Sequence, residues 1–292
     1  MQESLGSLAS SPEFPSEPEA SAVPAPSPPA LGRWLLAVTL FSTYLPLQIV
    51  AAIPPVIVAL MSYGPLNTEA DLARALERFI DSEEALWITI GSASVAAVVT
   101  IVVAWAWPWI WRLFAPATHF SLADWLGWNK PRWIKTWMVP LITLPFLLVV
   151  VIGVSLTSGP TEVDVQIQLF STTGLQIVSG LVVSTIVPLA EELVFRGALY
   201  NALLRSPREG EPRWRRHVVP FVVVSLLFGG AHLLAGFATF AAIVQIVILS
   251  TYLTALRAVS GSMRPSLIAH MVWNMAGAMA LILVNTVPGL KM

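Results

Sequence analysis

The sequence predicts an all-α fold: a polytopic transmembrane bundle of about seven helices (seven or eight spans), behind a disordered N-terminal tail. Three observations predict it. Of 292 residues, 56% are hydrophobic and only 11% are charged, against roughly 25% charged in a soluble domain. Mean hydropathy is +0.74, and the apolar residues gather into runs near the roughly 20 needed to cross a bilayer. Eight of the 12 tryptophans lie between Trp105 and Trp137, and Trp favours the headgroup boundary. The net charge of -1 gives no electrostatic basis for nucleic-acid binding. The absence of Cys removes disulfides, thiolate nucleophiles and thiolate metal sites together. Any metal would have to be held by His and carboxylates.

Residues 1–30 are rich in Pro, Ser, Ala and Glu, with no Lys, Arg or apolar run. They read as a disordered, solvated tail rather than a signal peptide. Spans are expected at Trp34–Met61, bent by Pro46, Pro54 and Pro55, then Ala85–Trp111 and Trp133–Leu156. Four more follow: Thr172–Leu204, long enough to break, His217–Leu234, Phe237–Leu256 and Ser266–Val284. The aromatic and basic stretch Phe120–Trp133 is expected along the interface. These elements divide the chain into the tail, N-terminal membrane helices at 31–171 and a second bundle at 172–285.

Loop charges orient the bundle. Arg112, Lys130, Arg132 and Lys135 fall in one connection, five arginines between Arg205 and Arg216 in another, and Arg257 and Arg264 flank a third. The alternate loops are acidic, with Asp71, Glu77, Asp81, Glu83 and Glu84 in one and Glu162 and Asp164 in the next. The positive-inside rule makes the basic side, and with it the N-terminus, cytoplasmic. The expected location is a bacterial cytoplasmic membrane.

Ionisable residues inside spans are costly and point to function. Here they are Glu191, Glu192, Arg196, His232 and His270, joined by Asn274. Glu192 and Arg196 are four residues apart on one helix face and can pair, whereas Glu191 is five from Arg196 and is left to point elsewhere. Pro188 removes a helix hydrogen bond at Ser184 and loosens that turn. A plain alternative is a buried ion pair that locks helices together. Phe228 and His232 share a face at i,i+4, as do His270 and Asn274. If these groups converge, two chemistries fit. Two imidazoles and a carboxylate make an open zinc site. Or Glu191 is a general base for water, with His232 and Asn274 at the developing oxyanion. Gly229 and Gly230 fit close backbone approach or helix packing equally. His119 and His217 read as solvated residues at span ends.

The blocks "EELVFR" at 191–196, "FGGAH" at 228–232 and "HMVWN" at 270–274 resemble the CPBP family of intramembrane proteases, which includes the CAAX-processing prenyl endopeptidases. That family carries Glu-Glu-x-x-x-Arg, Phe-x-x-x-His and His-x-x-x-Asn/Asp on successive spans, and all three stand here in order. The likeness covers roughly residues 172–285. It implies Glu191 as the water-activating base, Glu192 as a second essential carboxylate with Arg196 as its partner, and Phe228 as a supporting residue. It implies His232 and His270 as catalytic or, with Glu191, zinc-binding, and Asn274 as a polarising group. The family is described both as zinc-dependent and as metal-independent. The substrate implied is a membrane-associated peptide or protein, a prenylated one among the options. No His-Glu-x-x-His, Gly-x-Ser-Gly or Gly-x-Gly-Asp motif points to another intramembrane protease.

A non-catalytic scaffold or bacteriocin-immunity protein binding a peptide in the same cavity is the second reading. A proton-coupled transporter using Glu and His as a relay is the third. One conflict stands. His232 is about 22 Å along a span starting at His217, but His270 only about 6 Å along one starting at Ser266.

Overall fold

The computed structural model describes residues 28–64, 66–80, 82–157, 173–206, 210–212, 214–234 and 240–286. The tail reading at 1–27 and the charges at Asp81, Glu162, Asp164, Arg208, Glu209 and Arg213 lie outside them. The described fold is all helix: α1 (Ala30–Ser62), α2 (Glu69–Ile80), α3 (Glu83–Phe114), α4 (Leu122–Leu126) and α5 (Met138–Thr157). Then come α6 (Thr173–Glu192), a π-helical segment π1 (Leu193–Leu199), α7 (Tyr200–Leu203), α8 (Arg215–Leu234), α9 (Phe240–Ser260) and α10 (Met263–Thr286). Every expected span is matched by a helix. By length and composition, five stretches can cross a membrane: Ala30–Ser62, Trp87–Phe114, Gln176–Leu203, Arg215–Leu233 and Ala241–Ser260. Met138–Val154 is a shorter apolar helix, and α10 carries Arg264, His270 and Asn274 in its length.

Helix α1 runs unbroken through Pro46, Pro54 and Pro55. It packs along α3, while α6 packs on α10 and α8 on α9. The fourth expected span does not break; it passes into π1, whose residues Leu193–Ala198 are all buried. The acidic connection after α1 is a helix in its own right, α2, with Asp71 in its first turn and Arg78 in its last. Both charges complement the helix dipole. Its Ala75 and Phe79 are buried with Ala59 and Leu60 of α1.

Within the stretch expected along the interface, Trp125, Leu126 and Gly127 are buried, while Asn129, Lys130 and Trp133 stay exposed. Ser121 and Asp124 form a capping box at the start of α4, and Gly127 closes it in the left-handed conformation, φ 68°. The capped turn drops Trp125 and Leu126 into the core, and Trp125 meets Trp107, Trp111 and Phe120 edge-on at 5.4–6.2 Å between ring centroids. The tryptophan cluster that signals a membrane boundary is thus partly a packing core.

This cap also resolves the depth conflict. The amide of Met263 donates to the Gly127 carbonyl at 3.0 Å, Ser262 Oγ to the Asn129 carbonyl at 2.5 Å, and Arg264 to the Trp128 carbonyl at 3.2 Å. Helix α10 therefore starts beneath the cap, with Met263 fully buried. Its early residues lie as deep in the bundle as late residues of α8.

The basic connections meet at this same end. Arg33 Nη1 donates to the carbonyls of Asn201 and Leu204, and the amide of Arg132 to that of Ser260. Arg257 is buried, gives Nη2–H to Asn201 Oδ1 at 2.7 Å and lies over the Tyr200 ring. A Cβ on Gly127 would stand 2.3 Å from Arg257 Nη2. Gly127→Ala is expected to destabilise the protein by about 1–3 kcal/mol, from the positive φ and from displacing a buried guanidinium. Thermal unfolding in detergent measures it, with Gly230→Ala as the control because a Cβ there meets nothing within 4 Å.

Candidate active site

Three helices bring the motif residues together. Glu191 and Glu192 end α6, Arg196 sits in π1, His232 lies in the last turn of α8 and His270 two turns into α10. Glu192, Arg196 and His270 are buried almost completely, and Glu191 nearly so.

The pairing read from helical spacing is present. Arg196 Nη1 donates to Glu192 Oε1 at 2.8 Å. The rest of the guanidinium is held by α9: Nη2 donates to Ser250 Oγ at 2.8 Å and to its carbonyl at 3.2 Å, and Nε to Thr254 Oγ1 at 3.4 Å. Its flat face lies 4.3 Å from the Phe228 ring centroid. A buried cation is tolerable only when its donors are satisfied and its charge is paired. Ser250 and Thr254 supply the donors' partners and Glu192 supplies the charge.

Glu192 does a second job. His270 Nδ1 lies 3.0 Å from the same Oε1, so Nδ1 carries the proton and Nε2 turns the other way. There it faces Glu191 Oε2 at 3.5 Å. His232 is set in the same sense by its own helix, with Nδ1 at 2.8 Å from the Phe228 carbonyl and Nε2 at 3.8 Å from Glu191 Oε1. Both imidazoles thus present Nε2 to the Glu191 carboxylate. Phe228 joins the set, its ring tilted against His232 at 4.5 Å between centroids and edge-on at 5.8 Å to His270. The Phe-x-x-x-His spacing is explained by that ring contact and by the carbonyl one turn back.

Asn274 is one turn from His270, but its Nδ2 donates to the Val183 carbonyl at 2.9 Å. It grips α6 at the turn that Pro188 loosens, where Ser184 Oγ is buried without a hydrogen-bond partner among the protein atoms. The two glycines divide. A Cβ on Gly229 would approach Val247 of α9 to 2.7 Å, so this glycine serves helix packing, whereas Gly230 faces open space. His119 is exposed, as expected. His217 is not merely solvated: it is half-buried, with Nδ1 2.6 Å from the Tyr200 hydroxyl.

Sequence reasoning missed Tyr44. Its hydroxyl donates to Glu191 Oε1 at 3.1 Å from α1, 147 positions away in the chain. The only signal for it is the spacing of Leu36, Leu40 and Tyr44, one buried face of α1. Ser250 and Thr254 were missed as well. Both are ordinary polar residues in an apolar helix, with no local mark of their role.

The donor set Glu191, His232 and His270 has the chemistry of an open zinc site, and each imidazole is oriented by a hydrogen bond at Nδ1 as metal-binding histidines are. Among the described residues, however, no three His, Asp or Glu side chains are drawn together as a metal-binding group. A zinc would have to pull them inward.

Residues 173–276 match the family model described as Rce1-like, type II CAAX prenyl endopeptidase. The segment resembles that family. It contains all three motif blocks and bears out the resemblance to the CPBP family. It takes in helices α6 to α9 and the first part of α10, and leaves out α1 and Tyr44. No curated protein and no solved structure matches the chain. With its run of apolar helices, the chain is an integral, multi-pass membrane protein.

Proposed function

We propose that this protein is an intramembrane endopeptidase that hydrolyses a peptide bond of a membrane-associated protein or peptide, with Glu191 as the base. The observation that carries this reading is the Glu191 carboxylate, faced by the Nε2 atoms of two histidines from different helices. The 3.8 Å between Glu191 Oε1 and His232 Nε2 is too long for a direct hydrogen bond and suits a bridging water. Such a water gives one hydrogen to each acceptor and turns a lone pair outward.

The steps balance without a further reactant. The water oxygen attacks the peptide carbonyl carbon as its proton passes to Glu191. The carbonyl oxygen becomes an oxyanion. Glu191 then returns the proton to the amide nitrogen, the C–N bond breaks, and an acid and an amine leave. The Asn274 amide is a donor for the oxyanion once it leaves the Val183 carbonyl. Glu192 fixes the His270 ring and Arg196 compensates Glu192. A zinc at Glu191, His232 and His270 would add Lewis-acid polarisation of the carbonyl.

The basic end of the bundle faces the cytoplasm on this reading, by the positive-inside rule. A prenylated C-terminal peptide is included among the substrates because of the Rce1-like match. The test compares protein N- and C-termini in membranes and secreted fractions from cells making wild type with those making Glu191→Gln, at matched abundance. Termini present only with wild type are expected, and they identify substrate and cleavage site together. Identical termini, with a cellular phenotype that Glu191→Gln retains, would replace this reading with a peptide-binding scaffold. Transport that collapses with the proton gradient would replace it with a transporter.

A further inference from the structure

We propose that Tyr44 of α1 is a positioning residue that holds the Glu191 carboxylate in register for proton transfer. The inference rests on the reading of Glu191 as the base. Neither the family match nor any of the three motif blocks includes this residue.

Glu192 is braced by Arg196 and His270. Glu191 is not. Among the described residues, Tyr44 makes the one hydrogen bond to its carboxylate, at 3.1 Å. The histidine nitrogens stand off at 3.5 and 3.8 Å. A terminal carboxylate torsion is broad and roughly two-fold, so without a fixed partner the plane of the carboxylate can turn. An ionised carboxylate only accepts, so the phenol is the donor, and the bond is charge-assisted. It occupies one lone pair of Oε1 and sets the plane, leaving Oε2 toward His270 and the remaining Oε1 lone pair toward His232.

The phenol itself has little freedom. Tyr44 is 2% exposed and its ring lies in the main core with Leu36, Leu40 and Phe195. Phe41, three residues earlier, meets Phe195 of π1 edge-on at 6.1 Å. A buried tyrosine keeps a partner for its hydroxyl, and here that partner is the reacting carboxylate. Helix α1 is thereby part of the site, supplying from outside the Rce1-like segment the contact that the segment does not provide for itself.

Tyr44→Phe removes the hydroxyl and keeps the ring. The purified full-length protein would be assayed on the peptide found by the terminus comparison, with thermal stability measured on the same samples. The expected result is a fall in kcat of about 10- to 100-fold, the weight of a hydrogen bond to a charged group, with KM and unfolding temperature unchanged. Tyr44→Leu, which also removes the ring, is expected to lose stability and no less kcat per folded molecule. Wild-type kcat in Tyr44→Phe, or a change in KM alone, overturns the inference. Glu191→Gln in the same assay separates the two ideas. If it still cleaves, the base assignment fails. If it is dead while Tyr44→Phe turns over normally, only the role of Tyr44 fails.

Discussion

Glu191→Gln is expected to lower kcat by about 10²- to 10⁴-fold, the usual range for a lost general base, with KM nearly unchanged. The substitution is close to isosteric. The amide oxygen of Gln still accepts from Tyr44, and the Glu192–Arg196 pair does not involve this side chain. What is lost is the capacity to take a proton and return it to the leaving nitrogen. The bundle should therefore accumulate and melt like wild type. The measurement is steady-state turnover of the identified peptide with unfolding temperature in parallel. A rate within threefold of wild type would exclude Glu191 as the base. Equal losses of rate and of folded protein would turn the site into the plain alternative, a polar lock between helices.

The second large effect is on stability. Arg196→Met is expected to cost about 3–5 kcal/mol, because it strands the fully buried Glu192 without its cation. Little of the protein should reach the membrane in folded form. Replacing both partners, Glu192→Met with Arg196→Met, removes the uncompensated charge as well as the pair. Buried ion pairs exchanged for apolar residues of similar volume are often neutral in stability or better. The double variant should regain most of the lost stability, with the Ser250, Thr254 and His270 contacts left unmade. It should stay inactive, since His270 loses the acceptor at Nδ1 that orients its ring. Fluorescence-detected size-exclusion of detergent extracts reads accumulation for both variants beside wild type. A double variant no better than Arg196→Met would show that the α9 contacts, and not the charge, make Arg196 indispensable.

These two expectations separate the parts of the site. Glu191 carries the chemistry and contributes little to holding helices together. Glu192 and Arg196 hold α6, π1, α9 and α10 around it. A sequence motif writes both as one block, "EELVFR", yet adjacent residues on a helix point about 100° apart. The spacing already separates the two roles.

What the sequence determined by itself is what local periodicity and composition carry. A charge content of 11% and runs of apolar residues fixed an all-α membrane bundle. Spacing of four fixed the Glu192–Arg196 pair and put Phe228 and His232 on one face, and both contacts are made within one helix or its immediate continuation. Only the tertiary structure decided the partners that come from elsewhere. Tyr44 reaches Glu191 across 147 positions, and Ser250 meets Arg196 across 54. Such contacts depend on how several helices cross, and no window of sequence contains that angle. The same holds for Asn274, placed on the His270 face by spacing but hydrogen-bonded to the Val183 carbonyl of α6. The buried cap at α4 escaped the sequence because Trp serves a headgroup boundary and a packed core equally well. Its burial was settled by a capping box and a left-handed glycine that turn the chain inward. Hydrogen bonds from Ser262, Met263 and Arg264 to that turn anchor the start of α10, the helix that carries His270.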